Sequence, residues 1–371
     1  MCGIEPSRAS GAESRHNHAP LIQARGDEVK VALQGRAQGR QRELYEEAGI
    51  EIVEGGCRTE DDMIELIGDA DGAQVGIWPL TSRKVLEGCP NLKAVSRFGV
   101  GVDSIDHDAA TELGVMVCNV PGSNTTEVAD HAAALLLSVT RQVVEGVTNT
   151  RAGNWADDPR AMRFAPRMRR LTGHTVGIVG FGNIGRAFAT RMRGFGVSRI
   201  LAFDPYVRQL AGDLYGVEMV DFETLTREAD YISIHSAATA ESQYLFDAGA
   251  LKRMKPTAIL INTARGPIVN EEALADALEA GEIEAAAVDV TEVEPLASSS
   301  RLLKLPNCYV TPHVAAMSSV FVAETAVMQA ENIIFVLQGN RPHGLTNPDV
   351  VKTIAVMRNT DPGRWGNVPD R

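Results

Sequence analysis

Short, near-continuous apolar runs alternate along this chain with segments whose apolar positions recur at helical spacing. Glu28 to Leu33 reads as a strand, and Arg40 to Ala48 as a helix that Gly49 can close. Ile50 to Val53, Ala73 to Trp78, Leu92 to Ser96 and Val115 to Asn119 read as further strands. Helical segments at Asp61 to Ile67 and Ile105 to Leu113 fall among them. The longest periodic stretch is Thr126 to Val147, with Val128, Ala132, Leu135, Leu136, Val139 and Val143 on one face, and it is predicted as one helix. A second series follows: Thr175 to Val179, Ile200 to Phe203, Tyr231 to His235, Ala258 to Asn262, Ala286 to Val290 and Tyr309 to Thr311. Glu271 to Ala280 is a helix with Gly281 at its end, and Ser319 to Leu337 is another. Strands apolar throughout are buried on both faces, so the rhythm predicts an α/β protein with parallel sheets covered by helices. Residues 1–27 lack any period and are expected to be a disordered extension. Residues 349–371 are expected to be a flexible tail.

The first strand of the second series runs into Gly180-Phe181-Gly182-Asn183-Ile184-Gly185. These glycines fit G-x-G-x-x-G, which serves a tight turn, a close approach of backbone to pyrophosphate, and the packing of helix on strand. The helix N-terminus then offers unpaired N–H groups and a positive dipole end to phosphates. The next strand ends in Asp204, about 20 residues on, where a carboxylate accepts from the ribose hydroxyls of NAD and repels the 2′-phosphate of NADP. A strand before the glycines and a helix after them is the context the motif requires. Around Arg97 to Asp103 a second pair of glycines, Gly99 and Gly101, follows a strand. It suits either a plain turn or a loop with its N–H groups open to a ligand.

Composition narrows the classes. The net charge of −12 speaks against a nucleic-acid footprint, and the arginine-rich run from Arg160 to Arg170 reads as a solvated face. The five cysteines form no C-x-x-C pair, so neither a zinc site nor a disulfide framework is signalled, and a reducing cytoplasm is the expected compartment. No apolar run is expected to reach the length of a membrane span, and no metal site is expected.

Arg265, Glu294 and His313 stand at or just beyond the C-terminal ends of strands, where ligands of open α/β sheets sit. Taken singly, each has a plain explanation: a surface cation, a turn residue before Pro295, a helix cap after Pro312. Together they suit one reaction. Oxidising a secondary alcohol with NAD needs a base, and a His titrates near neutrality. A carboxylate orients its ring and favours the charged form. An Arg forks onto a substrate carboxylate and polarises the neighbouring carbonyl.

On the stretches Arg97 to Asp103, Asn119 to Asp130, Gly180 to Gly185, Asn262 to Leu274, Asp289 to Pro295 and Thr311 to His313, the chain resembles the D-isomer-specific 2-hydroxyacid dehydrogenases, which include phosphoglycerate dehydrogenase. The resemblance implies two Rossmann-like domains with a ligand cleft between them. The substrate domain would be discontinuous, residues 28–122 and 316–348, and the NAD-binding domain would span 123–315. It implies substrate binding by Arg265 and by the backbone of Val100 and Gly101, acid/base work by His313 and partnership by Glu294. It implies NAD contacts from Gly180, Gly182, Asn183, Ile184, Gly185, Asp204, His235, Thr263, Ala264, Arg265, Asp289 and His313. The substrate would be a small 2-hydroxy or 2-keto acid and the assembly a homodimer through the nucleotide domain. Val117 to Pro121, Ala165 to Arg169 and Asp204 to Tyr206 resemble most the C-terminal-binding-protein branch, which brings in a rival reading as an NAD-gated scaffold or corepressor. Ala316 stands where those corepressors carry Trp, and Ala237 where most of the family has Pro.

Overall fold

The structure is a computed structural model that describes residues 29–157 and 167–365. The expected N-terminal extension and most of the arginine-rich run lie outside the described residues. The chain divides into two compact units, one holding residues up to Phe98, Val102–Val120 and the part from Ala326 on, the other holding Gly99–Gly101 and Pro121–Thr325.

The first unit is built on a five-stranded sheet of β1 (Lys30–Gln34), β2 (Glu51–Gly55), β3 (Gly72–Val75), β4 (Ala94–Arg97) and β5 (Met116–Cys118), in the order β2-β1-β3-β4-β5. Every pairing is parallel. The two-residue alternation of strands divides β1 between two cores. Ala32 packs with Met63, Leu86 and Val95, while Val31 and Leu33 face Leu44, Tyr45, Ile333 and Ile334 on the other side. Helix Ser319–Leu337 keeps its predicted bounds. Its length and mean hydropathy of 1.5 would let it cross a bilayer, contrary to the sequence expectation. Ala330, Ile333, Ile334 and Leu337 are instead buried in the core of this unit, which accounts for its apolar character.

The C-terminal residues also depart from expectation. In place of a flexible tail, helices Val350–Thr360 and Pro362–Trp365 pack on the sheet. Val350, Ile354 and Trp365, the last 2% exposed, join Ala94, Met116 and Val336 in one cluster. Val350, Ile354 and Met357 do recur at helical spacing, but Val356 among them is 68% exposed, which blurs the period in the sequence.

The second unit carries a seven-stranded sheet in the order β12-β11-β10-β9-β6-β7-β8. Its strands are β6 (Thr175–Val179), β7 (Arg199–Phe203), β8 (Glu218–Met219), β9 (Tyr231–Ile234), β10 (Ile259–Asn262), β11 (Ala285–Val288) and β12 (Cys308–Val310). All pairings are parallel. β8 has two residues at the sheet edge and no apolar run to announce it. The chain starts at β6, winds outward through β7 and β8, then returns to β9 on the other flank. The C-terminal ends of β6, β7 and β9 therefore surround the point where the winding reverses, the usual ligand position of such sheets.

The long helix predicted over Thr126 to Val147 is two helices, Thr125–Thr140 and Val143–Arg151. Gln142 between them has φ +53°, outside the helical region. The Thr140 hydroxyl donates to Leu136 O at 2.8 Å and the Gln142 side-chain amide to Val139 O at 2.8 Å, so side chains satisfy carbonyls at the break. The apolar period continues across it, which is why the sequence reads as one helix.

Candidate functional site

Two of the three glycines of the turn after β6, Gly180 and Gly185, are required by the fold itself. Gly180 has φ +91°, and a Cβ there would stand 2.5 Å from Ser236 N. A Cβ on Gly185 would stand 2.2 Å from Gly180 O, so the helix Asn183–Gly194 can close on the turn only without one. At Gly182 a Cβ would meet no protein atom within 4 Å. The protein itself does not require glycine there, so the space suits a ligand lying against the backbone at the N-terminus of the helix that Asn183 and Ile184 begin. Asp204 lies beside the turn: its Oδ2 accepts from Phe181 N–H at 2.8 Å and its Oδ1 from Tyr206 N–H at 3.0 Å. A carboxylate has further acceptor capacity beyond these two bonds.

Three of the buried side-chain polar atoms that lack a hydrogen-bond partner among the described residues lie just past β9 and β10: Nδ1 of His235, Oγ of Ser236 and Oγ1 of Thr263. Natural proteins seldom leave such atoms unpaired unless a ligand or water completes them. Burial pushes the pKa of His235 down to about 3, so its ring is neutral, and its Nε2 pairs with Ser233 Oγ at 2.9 Å. Open space over Gly182, an acidic residue at the end of β7, and unpaired groups along β9 and β10 fit a dinucleotide such as NAD.

Arg265 leaves β10 in extended backbone, after Ala264, whose carbonyl accepts from Arg265 Nη1 at 2.7 Å. Asn262 holds this loop by both ends of its amide, accepting from Ala264 N–H at 3.0 Å and donating to Arg265 O at 2.9 Å. Gly266 is crowded in turn: a Cβ there would lie 2.0 Å from Thr291 O, on the loop that carries Glu294.

Glu294 and His313 meet, with Oε2 of Glu294 2.6 Å from Nδ1 of His313. Oε1 of Glu294 accepts from Thr291 N–H at 3.1 Å. Burial favours the neutral form of Glu294, but the hydrogen bonds from His313 and Thr291 outweigh it, with help from the charges of His313 and Arg265. The carboxyl is thereby held below its ordinary 4.5. The three residues singled out in the sequence thus influence one another electrostatically.

His313 itself has φ +53°, a left-handed backbone that costs a non-glycine residue roughly 1–2 kcal/mol. Asp289 supplies the restraint. It is 1% exposed, and its backbone carbonyl accepts from His313 N–H at 2.8 Å. Its Oδ1 accepts from Val314 N–H at 3.0 Å and from the Thr311 hydroxyl at 2.5 Å, and its Oδ2 from Ala315 N–H at 2.7 Å. The sequence reading gave Asp289 only a cofactor contact; the structure gives its carboxylate to the histidine loop. That bracing role, like the part Asn262 plays for Arg265, was missed. A buried Asp at the end of an apolar strand is the signal that could have found it. Val100 and Gly101 follow β4 and group with this second unit.

Comparison with known proteins identifies the family. The sequence pattern described as "D-isomer specific 2-hydroxyacid dehydrogenase, NAD binding domain" matches residues 133–315. A glyoxylate reductase of Korarchaeum cryptofilum is 40% identical, over 78% of this chain and 86% of its own length. A D-3-phosphoglycerate dehydrogenase of Mycobacterium leprae is 36% identical over 89% of this chain, which spans only 60% of that enzyme. The structure of an NADPH-dependent glyoxylate/hydroxypyruvate reductase from Sinorhizobium meliloti, in complex with NADP and malonate, superposes with a TM-score of 0.73 at 28% identity, covering 86% of this chain and 97% of that one. These relatives are glyoxylate reductases and phosphoglycerate dehydrogenases, so the expected kinship with the C-terminal-binding-protein branch is withdrawn, and the corepressor reading with it. Two of the stretches that suggested it, Val117 to Pro121 and Asp204 to Tyr206, are a strand end and a turn, and Ala165 to Arg169 lies partly outside the described residues. The chain belongs to the D-isomer-specific 2-hydroxyacid dehydrogenase family and is an NAD(P)-dependent oxidoreductase acting on CH–OH groups.

Proposed function

We propose that the enzyme interconverts a small 2-keto acid of the glyoxylate class and its 2-hydroxy acid, with NAD as the preferred cofactor, Arg265 binding substrate and the His313–Glu294 pair moving the proton. The observation that carries this reading is the 2.6 Å contact between Glu294 Oε2 and His313 Nδ1. With Nδ1–H donated to the carboxylate, Nε2 is the ring nitrogen left for a substrate oxygen. In reduction, Nε2–H of the protonated ring gives its proton to the carbonyl oxygen as that oxygen gains charge. In oxidation the neutral ring takes it back. The bound nicotinamide supplies or accepts the hydride. Arg265 forks onto the substrate carboxylate and draws electron density from the adjacent carbonyl, while the backbone N–H groups of Val100 and Gly101 hold the same carboxylate. Glu294 keeps the ring oriented and its charge compensated through the cycle.

Preference for NAD rests on Asp204, whose carboxylate stands at the end of β7 beside the glycine turn. The Sinorhizobium relative uses NADPH, so the family does not decide the matter. A homodimer through the nucleotide-binding unit is supported by helix Val143–Arg151, which buries none of its residues in the monomer. Val143, Val144 and Val147 on it are 45–48% exposed and Trp155 just beyond is 64% exposed. Such a patch is the kind that a second copy covers. Glyoxylate, hydroxypyruvate and larger 2-keto acids offered with NADH, with the loss of NADH absorbance followed, test the reading. Turnover of at least one that His313→Ala abolishes supports it; no turnover of any overturns it.

A further inference from the structure

Resting on that reading, we infer that His131 is a positioning residue for the reaction, acting on His313 through Thr311 and Asp289. His131 lies on helix Thr125–Thr140, far in sequence from the loop it serves. Its Nε2 is 3.2 Å from Thr311 Oγ1 and 3.6 Å from Asp289 Oδ1. The directions of these bonds follow from the chemistry. Asp289 takes N–H bonds from Val314 and Ala315, so its oxygens act as acceptors. The single hydroxyl proton of Thr311 therefore points to Asp289 Oδ1, across 2.5 Å. The Thr311 oxygen is then left only as an acceptor, and the ring nitrogen facing it must carry a hydrogen. The result is a one-way chain from His131 Nε2–H to the Thr311 hydroxyl to the Asp289 carboxylate, which also accepts the backbone N–H groups of Val314 and Ala315, the two residues after His313.

The chain has a definite task. His313 is in left-handed backbone at φ +53°, so its loop does not rest in its own lowest-energy conformation. What holds it is Asp289, whose side chain has no exposure to solvent. A buried carboxylate holds a fixed orientation only while its remaining acceptor sites are satisfied. Thr311 donates to the same oxygen, Oδ1, that accepts from Val314 N–H, and His131 fixes the direction of that hydroxyl. Without His131 the Thr311 hydroxyl can turn, Asp289 loses a fixed donor, and the His313 ring drifts from its place beside Glu294. The glycine turn and Asp204, which would hold the phosphates and ribose, take no part in this chain, so the effect falls far more on turnover than on cofactor affinity.

The test compares His131→Leu, His131→Gln, Thr311→Val and the double variant His131→Leu/Thr311→Val, with His313→Ala as the reference. His131→Leu should lower kcat by about 10- to 100-fold, the scale of a small misplacement of a reacting group. KM for NADH should stay within roughly twofold, since the loss falls on chemistry and not on ground-state binding. His131→Gln, whose amide N–H can replace Nε2–H, should recover most of the loss. The double variant should be no worse than Thr311→Val, because the two residues act in series. Wild-type kcat in His131→Leu overturns the inference. So does a Gln variant as slow as the Leu variant at an unchanged melting temperature, or a loss shared equally between kcat and NADH affinity, which marks a general packing role. If His131→Leu melts too low to assay, the Gln variant and Thr311→Val decide: a near-normal Gln variant beside a slow Thr311→Val supports the chain, and any other pairing overturns it. Undiminished turnover in His313→Ala removes the dehydrogenase mechanism and this inference together. Loss in His313→Ala beside a normal His131→Leu removes the inference alone.

Discussion

Arg265 stands where charge alone is not enough. Its guanidinium donates to Ala264 O at 2.7 Å and lowers the pKa of Glu294, so its charge is already part of the site before substrate arrives. Arg265→Lys keeps the charge and loses the fork, so kcat/KM for keto acids should fall by about 10²-fold or more, of order one charge-assisted bond or two, while NADH affinity changes little. A lysine variant equal to wild type would make Arg265 a bystander. At Glu294 the sign of the pH effect follows from its lowered carboxyl. A carboxylate held below its ordinary value contributes its pairing energy fully above that value and loses it as pH falls through the lowered one. Glu294→Gln removes the counter-charge of the protonated ring, so the alkaline limb of the kcat/KM profile for reduction should move to lower pH. Superimposed profiles, with chemistry limiting in both enzymes, would contradict the pairing. The wild type should prefer NAD over NADP by at least about tenfold, about 1.4 kcal/mol, read as the ratio of kcat/KM for the two cofactors, and Asp204→Ala should narrow that ratio. At this scale the sequence was most legible where chemistry restricts the residue type: an Arg, a Glu and a His after strands that end on one side of a sheet. It gave Asp289 a cofactor contact and missed its hold on the histidine loop, since a carboxylate bound to a cofactor and one spent on a backbone loop look alike as letters. It was silent on His131, which sits within a helical period and reads as an ordinary polar position.

Among the elements, the glycine turn after β6 separates folding from binding more cleanly than any other part. Gly182→Ala adds a methyl where no protein atom lies within 4 Å, so it should leave stability nearly unchanged and weaken NADH binding by at least about tenfold, measured by fluorescence titration. Gly185→Ala places its methyl 2.2 Å from Gly180 O and should destabilise the fold by about 1–3 kcal/mol, read as a fall in melting temperature. A Gly182→Ala enzyme that binds NADH normally would remove the phosphate-facing role of that residue. The strands were legible because they are short apolar runs, and the motif-bearing β6 was legible together with its turn. The break between helices Thr125–Thr140 and Val143–Arg151 was not, because apolar spacing continues through Gln142 while the backbone does not. β8 was not either, since two residues at a sheet edge need no apolar run.

For the whole molecule, composition and strand rhythm pointed to parallel sheets, and the structure has two, of five and seven strands. The end of the chain was misread, because the exposed Val356 blurs the short helical period of Val350, Ile354 and Met357, and Trp365 stands apart among polar residues. Trp365→Ala should cost about 3–5 kcal/mol, detectable by denaturant unfolding, since it empties a site that packs on Ala94 and Met116. Val147→Asp should shift the mass in solution from dimer to monomer if helix Val143–Arg151 is the meeting face, as sedimentation would show. The most direct test of the account remains the turnover of a 2-keto acid with NADH by the wild-type enzyme and by His313→Ala, at matched folding and saturating cofactor. The account predicts a fall in kcat of about 10²- to 10⁴-fold with NADH binding nearly intact, the usual share of general acid–base catalysis. Full turnover in the His313→Ala enzyme would contradict it.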